Sequence, residues 1–271
     1  MSIRDKAAIA NQRLWEEEVK KGCGYTIPWL KLDVSLLREY ADGKHDFLPE
    51  PMTCMYPAGI LADIENKDVL CLASGGGQQS AVFSLLGARV TVVDLAEGQL
   101  AGDRKAALHY GYDVTTCNAD MRDLSCLNDD SFDLVFQANS TAYVPDIRQV
   151  YAEVARVLRP HGIYRVVHEN PATFSVQWDM GKYCISAPYS ERIEQRDDGG
   201  LEFRHYMDDI FNGLIDTSLL IQHVYEAPYS RKPDSEAPEG SWNHERAYVG
   251  GGFIIVAKKR QGTVSQEYED S

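Results

Sequence analysis

Basic residues are scarce in this chain: 27 Lys and Arg stand against 41 Asp and Glu, a formal net charge of −14. Proteins that grip a phosphate backbone carry the opposite sign, so a nucleic acid partner is not expected. No apolar run approaches the ~20 residues that cross a bilayer, so no membrane association is expected. Met1-Ser-Ile-Arg-Asp-Lys6 lacks the apolar core of a secretory leader. The six cysteines, at 23, 54, 71, 117, 126 and 184, are scattered without a CxxC pair. That pattern argues against a disulfide framework, and a cytoplasmic protein with reduced thiols is the expectation. No His, Cys or carboxylate spacing resembles a zinc or iron signature, so no metal is expected. Internal repeats and low-complexity segments are missing too. What remains is 271 residues, 44% hydrophobic and 25% charged, enough for one large α/β domain or a domain with a small cap.

The chain is organised around Asp68-Val-Leu-Cys-Leu-Ala-Ser-Gly-Gly-Gly-Gln-Gln-Ser80. Val69 to Leu72 suit a strand buried on both faces. Gly75, Gly76 and Gly77 then break the pattern, and Val82, Leu85 and Leu86 recur at helical spacing before Gly87. Strand, glycine turn and helix together let a nucleotide-bearing ligand approach backbone amides at a helix N-terminus. A second β-branched run, Ala88-Arg-Val-Thr-Val-Val-Asp94, ends in an acid about twenty residues after the turn. A carboxylate at that distance is placed to accept bonds from ribose hydroxyls.

These residues resemble a class I S-adenosylmethionine-dependent methyltransferase. Val69-Leu-Cys-Leu-Ala-Ser-Gly-Gly-Gly77 stands where that family has its glycine-rich first motif, and Val90-Thr-Val-Val-Asp-Leu95 where it has the ribose-binding acid. The likeness continues through Phe132-Asp-Leu-Val-Phe-Gln137 and Val157-Leu-Arg-Pro-His-Gly162, covering roughly residues 60 to 170. It implies an α/β fold: a Rossmann-like, doubly wound, seven-stranded sheet, mostly parallel with a C-terminal antiparallel strand. It also implies S-adenosylmethionine as cofactor and a small-molecule methyl acceptor as partner. Two residues depart from the motif: Cys71 replaces the usual acid and Ala73 a usual glycine. His161 stands where a second glycine is common.

Residues 1–60 are expected to form an N-terminal helical cap, 61–260 the methyltransferase domain with a substrate-side insertion at 170–205, and 261–271 a flexible tail. Helices are expected over 3–21, with Ile3, Ala7, Ala10 and Leu14 on one face, and near 33–41. Strands are expected at 69–73, 89–94, 112–117, 132–137 and 163–168, alternating with helices at 79–86, 96–110 and 146–158. A hairpin within 170–205, a helix near 207–214 and strands near 218–226 and 247–258 complete the reading.

The glycines Gly75 and Gly77 allow close ligand approach, and Asp94 would bind the ribose; an ordinary βα turn and a helix N-cap are the plainer alternatives. Ala73, Ser74 and Leu95 stand beside them, and Gln99, one turn along the next helix, could reach the ribose edge or be an ordinary solvated helix residue. The resemblance assigns Asp120 to the adenine amino group and Met121 to the ring, while Gln137 and Asn139, at the carboxyl edge of the fourth strand, could contact the methionyl part or the acceptor or form a purely structural loop. On the acceptor side stand Tyr143, His168, Glu169 and Asn170; a histidine there could remove a proton. His45, Tyr25 and Trp29 would line the site if the cap closes. Two other readings stay open: a nicotinamide-dependent oxidoreductase, although Ser80 stands where the dinucleotide fingerprint wants Gly or Ala, and a methyltransferase-like binder without turnover.

Overall fold

The computed structural model describes residues 3–226 and 237–261. The chain begins with α1 (Ile3–Lys21) and α2 (Val34–Ala41), the latter capped by Asp33, whose carboxylate accepts from the Ser35 and Leu36 amides. The alternating core follows: β1 (Asp68–Leu72), α3 (Gln79–Leu85), β2 (Arg89–Asp94), α4 (Glu97–Tyr110) and β3 (Val114–Asn118). After it come β4 (Phe132–Gln137), α5 (Ile147–Val157) and β5 (Leu158–His168). Two hairpins come next, β6 (Val176–Asp179) with β7 (Lys182–Ile185), and β8 (Ile193–Gln195) with β9 (Leu201–Phe203). Helix α6 (Met207–Asp216), β10 (Leu219–Glu226), α7 (Trp242–Val249) and β11 (Phe253–Lys259) end the described chain.

The main sheet runs β10-β11-β5-β4-β1-β2-β3. Strands β1 to β5 pair in parallel, and β11 lies antiparallel between β5 and β10. Alternation along β1 explains its unbroken apolar run. Leu70 and Leu72 enter a core with Tyr151 and Val154 of α5 and Leu214 of α6, whereas Val69 and Cys71 enter another with Leu37 of α2 and Phe83 of α3. Helices on both faces leave the carboxyl edge of β1 open where it separates β2 from β4. Open α/β sheets bind ligands outside such a switch point.

The region expected as strand from 247 is corrected. Residues 242–249 form α7, because Ser241 accepts from the His244 amide (3.3 Å) and Gly250 stops the helix, so β11 begins only at Phe253. Segment 170–205 holds two hairpins rather than one, and β5 starts at Leu158, turning through His161 at φ +67°. On α1, Ala7 and Leu14 are buried; the side chain of Ile3, like the expected tail from 262 onward, lies outside the described residues. Among the described residues, no helix is long and apolar enough to cross a membrane.

The N-terminal segment roofs the switch point. Asn11, 3% exposed, donates through Nδ2 to the carbonyls of Tyr143 and Leu201 (both 2.9 Å) and accepts from the Leu201 amide at 2.8 Å. Gln12 donates to the Leu95 carbonyl (3.0 Å). Farther along, the Trp29 amide donates to Gly77 O (3.1 Å), and buried Gln78 donates to the carbonyls of Gly24 and Ile27 (2.8 and 2.9 Å).

Candidate active site

Leaving β1, Ala73 donates its amide to Val93 O (2.8 Å) and adopts φ +46°. That left-handed conformation, in place of the glycine usual there, costs about 1 kcal/mol for a residue with a Cβ. The glycines that follow have no such latitude. A Cβ on Gly75 would lie 2.6 Å from Gln99 Cβ and 2.9 Å from Asp94 Oδ2; one on Gly77, at φ +74°, would lie 2.4 Å from Gly102 O. The turn crosses α4 backbone against backbone, a spacing only glycines permit.

A residue with no place in the motif holds the turn. Asp103 of α4, fully buried, accepts the Gly76 and Gly77 amides through its two oxygens (3.1 and 3.0 Å) and the Ser80 hydroxyl. Burial raises its carboxyl to about 7 despite those bonds. The signal was an acid inside the apolar stripe Leu100, Asp103, Ala106, Ala107; such an acid needs buried partners. Cys71 is completely buried in the sheet, and burial pushes its thiol up.

Asp94 ends β2 beside the turn. Its Oδ2 accepts the Gly75 amide (3.0 Å) and its Oδ1 the Ala96 amide (2.9 Å), while burial lifts its carboxyl to about 6. The N-cap alternative is thus partly realised: Asp94 bonds the amide that precedes α4. Gln99 is 95% buried, with no hydrogen-bond partner on Oε1. Asp94, Leu95, Gln99, Ala73, Ser74 and Gly75 all face one cleft of about 1840 Å³, which runs along the carboxyl edge from the turn to the two hairpins and α7.

The family model for a methyltransferase domain matches residues 70–166. A curated relative from Bacillus subtilis, described as an uncharacterized methyltransferase, is 30% identical over 230 residues, covering 80% of this chain and 89% of the relative. The chain belongs to the S-adenosylmethionine-dependent methyltransferase family. Its fold is shared by an S-adenosylmethionine-dependent methyltransferase from Mesorhizobium loti (TM-score 0.62, 24% identity, covering 74% of this chain and 94% of that one). It is also shared by a 1,6-didemethyltoxoflavin N1-methyltransferase from Burkholderia thailandensis (TM-score 0.60, 16% identity, 96% and 92%).

In this methyltransferase, Asp120 and Met121 reach the cleft from the loop after β3. Asp120 is locked by Arg122, whose amide and Nε both donate to Oδ1 at 2.9 Å while Nη2 takes the other oxygen. At the end of β4 the roles divide. Ala138 and Asn139 face the cleft. Gln137 does not: its side chain is fully buried and engaged by Ser140 Oγ (3.0 Å), Met121 Sδ (3.3 Å) and the Tyr164 hydroxyl. Gln137 therefore offers a ligand no side-chain group. The Ser74 hydroxyl is similarly internal, donating to Leu72 O and accepting from the Ala138 amide (2.9 and 3.0 Å), which ties β1 to β4.

The acid–base expectation for His168 is corrected. Strand alternation puts Val167 and Glu169 on the cleft and His168 behind it, 1% exposed, where its Nε2 meets the Tyr151 hydroxyl at 2.9 Å and its ring packs on Phe253. Burial lowers its pKa to about 3, so it stays neutral at physiological pH. His168→Asn is expected to lower the melting temperature while kcat of the remaining folded enzyme stays within about twofold; a selective loss of kcat would restore the catalytic role.

Glu169 does reach the cleft. Arg246 of α7 donates to both its oxygens at 3.0 Å, Asn139 donates to one of them, and the Arg246 guanidinium lies 3.0 Å from the Trp242 ring centroid. This pair ties α7 to the end of β5. Tyr143 lines the cleft edge-on to Trp15 (5.6 Å), and burial pushes its phenol up, leaving a neutral hydroxyl. Tyr25 and Trp29 line the roof. His45 is outside the cleft, exposed beside Glu39 at 3.2 Å, and Asn170 is spent on Val249 O and the Ala172 amide. Sequence reasoning also passed over Arg165, a buried β5 residue whose guanidinium donates to Cys54 O (2.8 Å) and Tyr56 O (2.9 Å) and pins that segment beside the cleft.

Proposed function

We propose that this enzyme methylates a small molecule held beside the turn, with the ribose of S-adenosylmethionine on Asp94 and its adenine toward Asp120 and Met121. The observation that carries the reading is the turn at Gly75, whose missing Cβ lets Asp94 and Gln99 pack directly against the backbone where all three line the cleft. Both residues line the cleft, and the acceptor chemistry of a carboxylate and an amide oxygen suits a sugar bearing two hydroxyl donors. The bound cofactor supplies an electrophilic methyl group for in-line displacement. The chain contributes position and exclusion of water, through the roof of α1 and residues 24–29 and the walls of the two hairpins and α7. Glu169 is the cleft-facing carboxylate at the end of β5, and Arg246 and Asn139 hold it in place. It is therefore assigned to orienting the acceptor rather than to taking a proton. The acceptor is expected to be a nucleophile that reaches the site with its lone pair free or loses its proton readily, as an amine or an acidic phenol does. The Burkholderia neighbour holds 1,6-didemethyltoxoflavin and S-adenosylhomocysteine, a small molecule beside the spent cofactor.

The test is turnover to S-adenosylhomocysteine with a panel of amine, thiol, phenol and carboxylate acceptors. Product with an amine or phenol is the expected outcome. Cofactor binding without product from any acceptor would leave a binder in its place.

A further inference from the structure

Methyl transfer also requires a grip on the amino-acid end of the cofactor. The first motif usually supports it with an acid at the position of Cys71, which here is sealed inside the sheet and cannot reach the cleft. A different side chain stands ready on the other flank of the turn. Gln79, the first residue of α3, is 93% buried, lines the cleft, and has no partner on Oε1. Its neighbour Gln78 spends its amide N–H donors on the carbonyls of Gly24 and Ile27 in the N-terminal roof.

The orientation of the Gln79 amide follows from a short relay. Its Nε2 lies 3.8 Å from Cys54 Sγ, and that sulfur lies 3.8 Å from Pro51 O. Burial pushes the Cys54 thiol up, so the sulfur keeps its proton. With the S–H directed to Pro51 O, the sulfur lone pair receives the Gln79 N–H. Oε1 is therefore left as a pure acceptor, itself buried, on a side chain that lines the cleft, and a buried acceptor without a donor costs about 1–3 kcal/mol.

We infer that Gln79 Oε1 receives the ammonium group of the cofactor's methionyl part, replacing the carboxylate missing at position 71. An ammonium carries three N–H donors and no acceptor, which is the chemistry a lone carbonyl oxygen selects. These two buried amide oxygens then divide one ligand, Gln99 on the side of Asp94 taking the sugar and Gln79 the amino acid. The assignment rests on the cofactor placement proposed above.

Calorimetry with three ligands tests it: S-adenosylhomocysteine, its deaminated analogue S-adenosyl-4-thiobutyrate, and methylthioadenosine, which lacks the amino-acid part. Gln79→Leu is expected to weaken S-adenosylhomocysteine about 10- to 100-fold, the range for a hydrogen bond to a charged group. The other two ligands should bind the variant as they bind the unmodified enzyme. Gln79→Glu, which restores a carboxylate, should bind S-adenosylhomocysteine at least as tightly as the unmodified enzyme and shows that the position tolerates change. Equal losses for all three ligands, or no loss for S-adenosylhomocysteine, would overturn the assignment while leaving the cofactor reading intact. Failure of the unmodified enzyme to bind any of the three would remove both.

Discussion

Asp94→Ala is expected to weaken S-adenosylhomocysteine binding by about 1–3 kcal/mol, roughly 5- to 150-fold, as measured by calorimetry on a folded variant. Two losses combine. The ribose hydroxyls lose the carboxylate we propose as their acceptor, and the amides of Gly75 and Ala96 lose the oxygens that now hold them. The second loss loosens the turn itself, so the effect should fall on every adenosyl ligand, methylthioadenosine included. A pH dependence follows from the same carboxyl. Burial lifts it to about 6, and hydroxyl donors favour its charged form, so ligand binding expels the proton. Affinity should therefore be full above pH 7 and fall as the pH drops through about 6. Unchanged affinity in the alanine variant would contradict the ribose assignment.

Gly102→Ala should do more damage than its position suggests. Alanine is the better helix former by about 1 kcal/mol, which on an ordinary helix would stabilise the fold. Here a Cβ at 102 would stand 2.8 Å from the carbonyl carbon and oxygen of Gly76 and 2.9 Å from its Cα. Those are backbone atoms, braced by Asp103, so neither side can yield without moving the turn. Overpacking of this kind costs about 3 kcal/mol or more, and the net loss is about 2 kcal/mol or more. In a chain of this size that is a fall in melting temperature of about 4 °C or more, together with a loss of S-adenosylhomocysteine binding. A variant that melts at or above the unmodified temperature would show that α4 can move away from the turn.

What the sequence disclosed, and what it withheld, follows from how each feature is encoded. The glycine turn and Asp94 were legible because backbone geometry demands them: a strand, a bend that rejects Cβ atoms, and an acid at the end of the adjacent strand occur in fixed order. The sheet was legible for a related reason, since β1, β2 and β4 are short, largely apolar runs with most positions buried. Asp103 and Gly102 act across space, and on α4 they look like an ordinary charged residue and a weak helix position. Asn11 bonds residues 132 and 190 positions away, which no local pattern announces. His168 was misplaced because a strand end names two neighbours facing opposite ways, and only the sheet decides which one faces the ligand. Residues 242–249 carry β-favouring aromatics, yet the Ser241 cap and Gly250 stop make them a helix.

The bond between residue 11 and residue 201 has a consequence for how the enzyme comes into being. As a nascent chain lengthens, the floor of the catalytic chamber can assemble from neighbouring βα units long before its ceiling has anything to fasten to. Contacts of such large sequence separation form late, after the entropy of a long loop has been overcome. During synthesis the chain is therefore expected to pass through an interval in which the parallel strands β1 to β5 are built and the chamber still lies open, because the β8–β9 hairpin that fastens α1, and after it β10, α7 and β11, have yet to emerge.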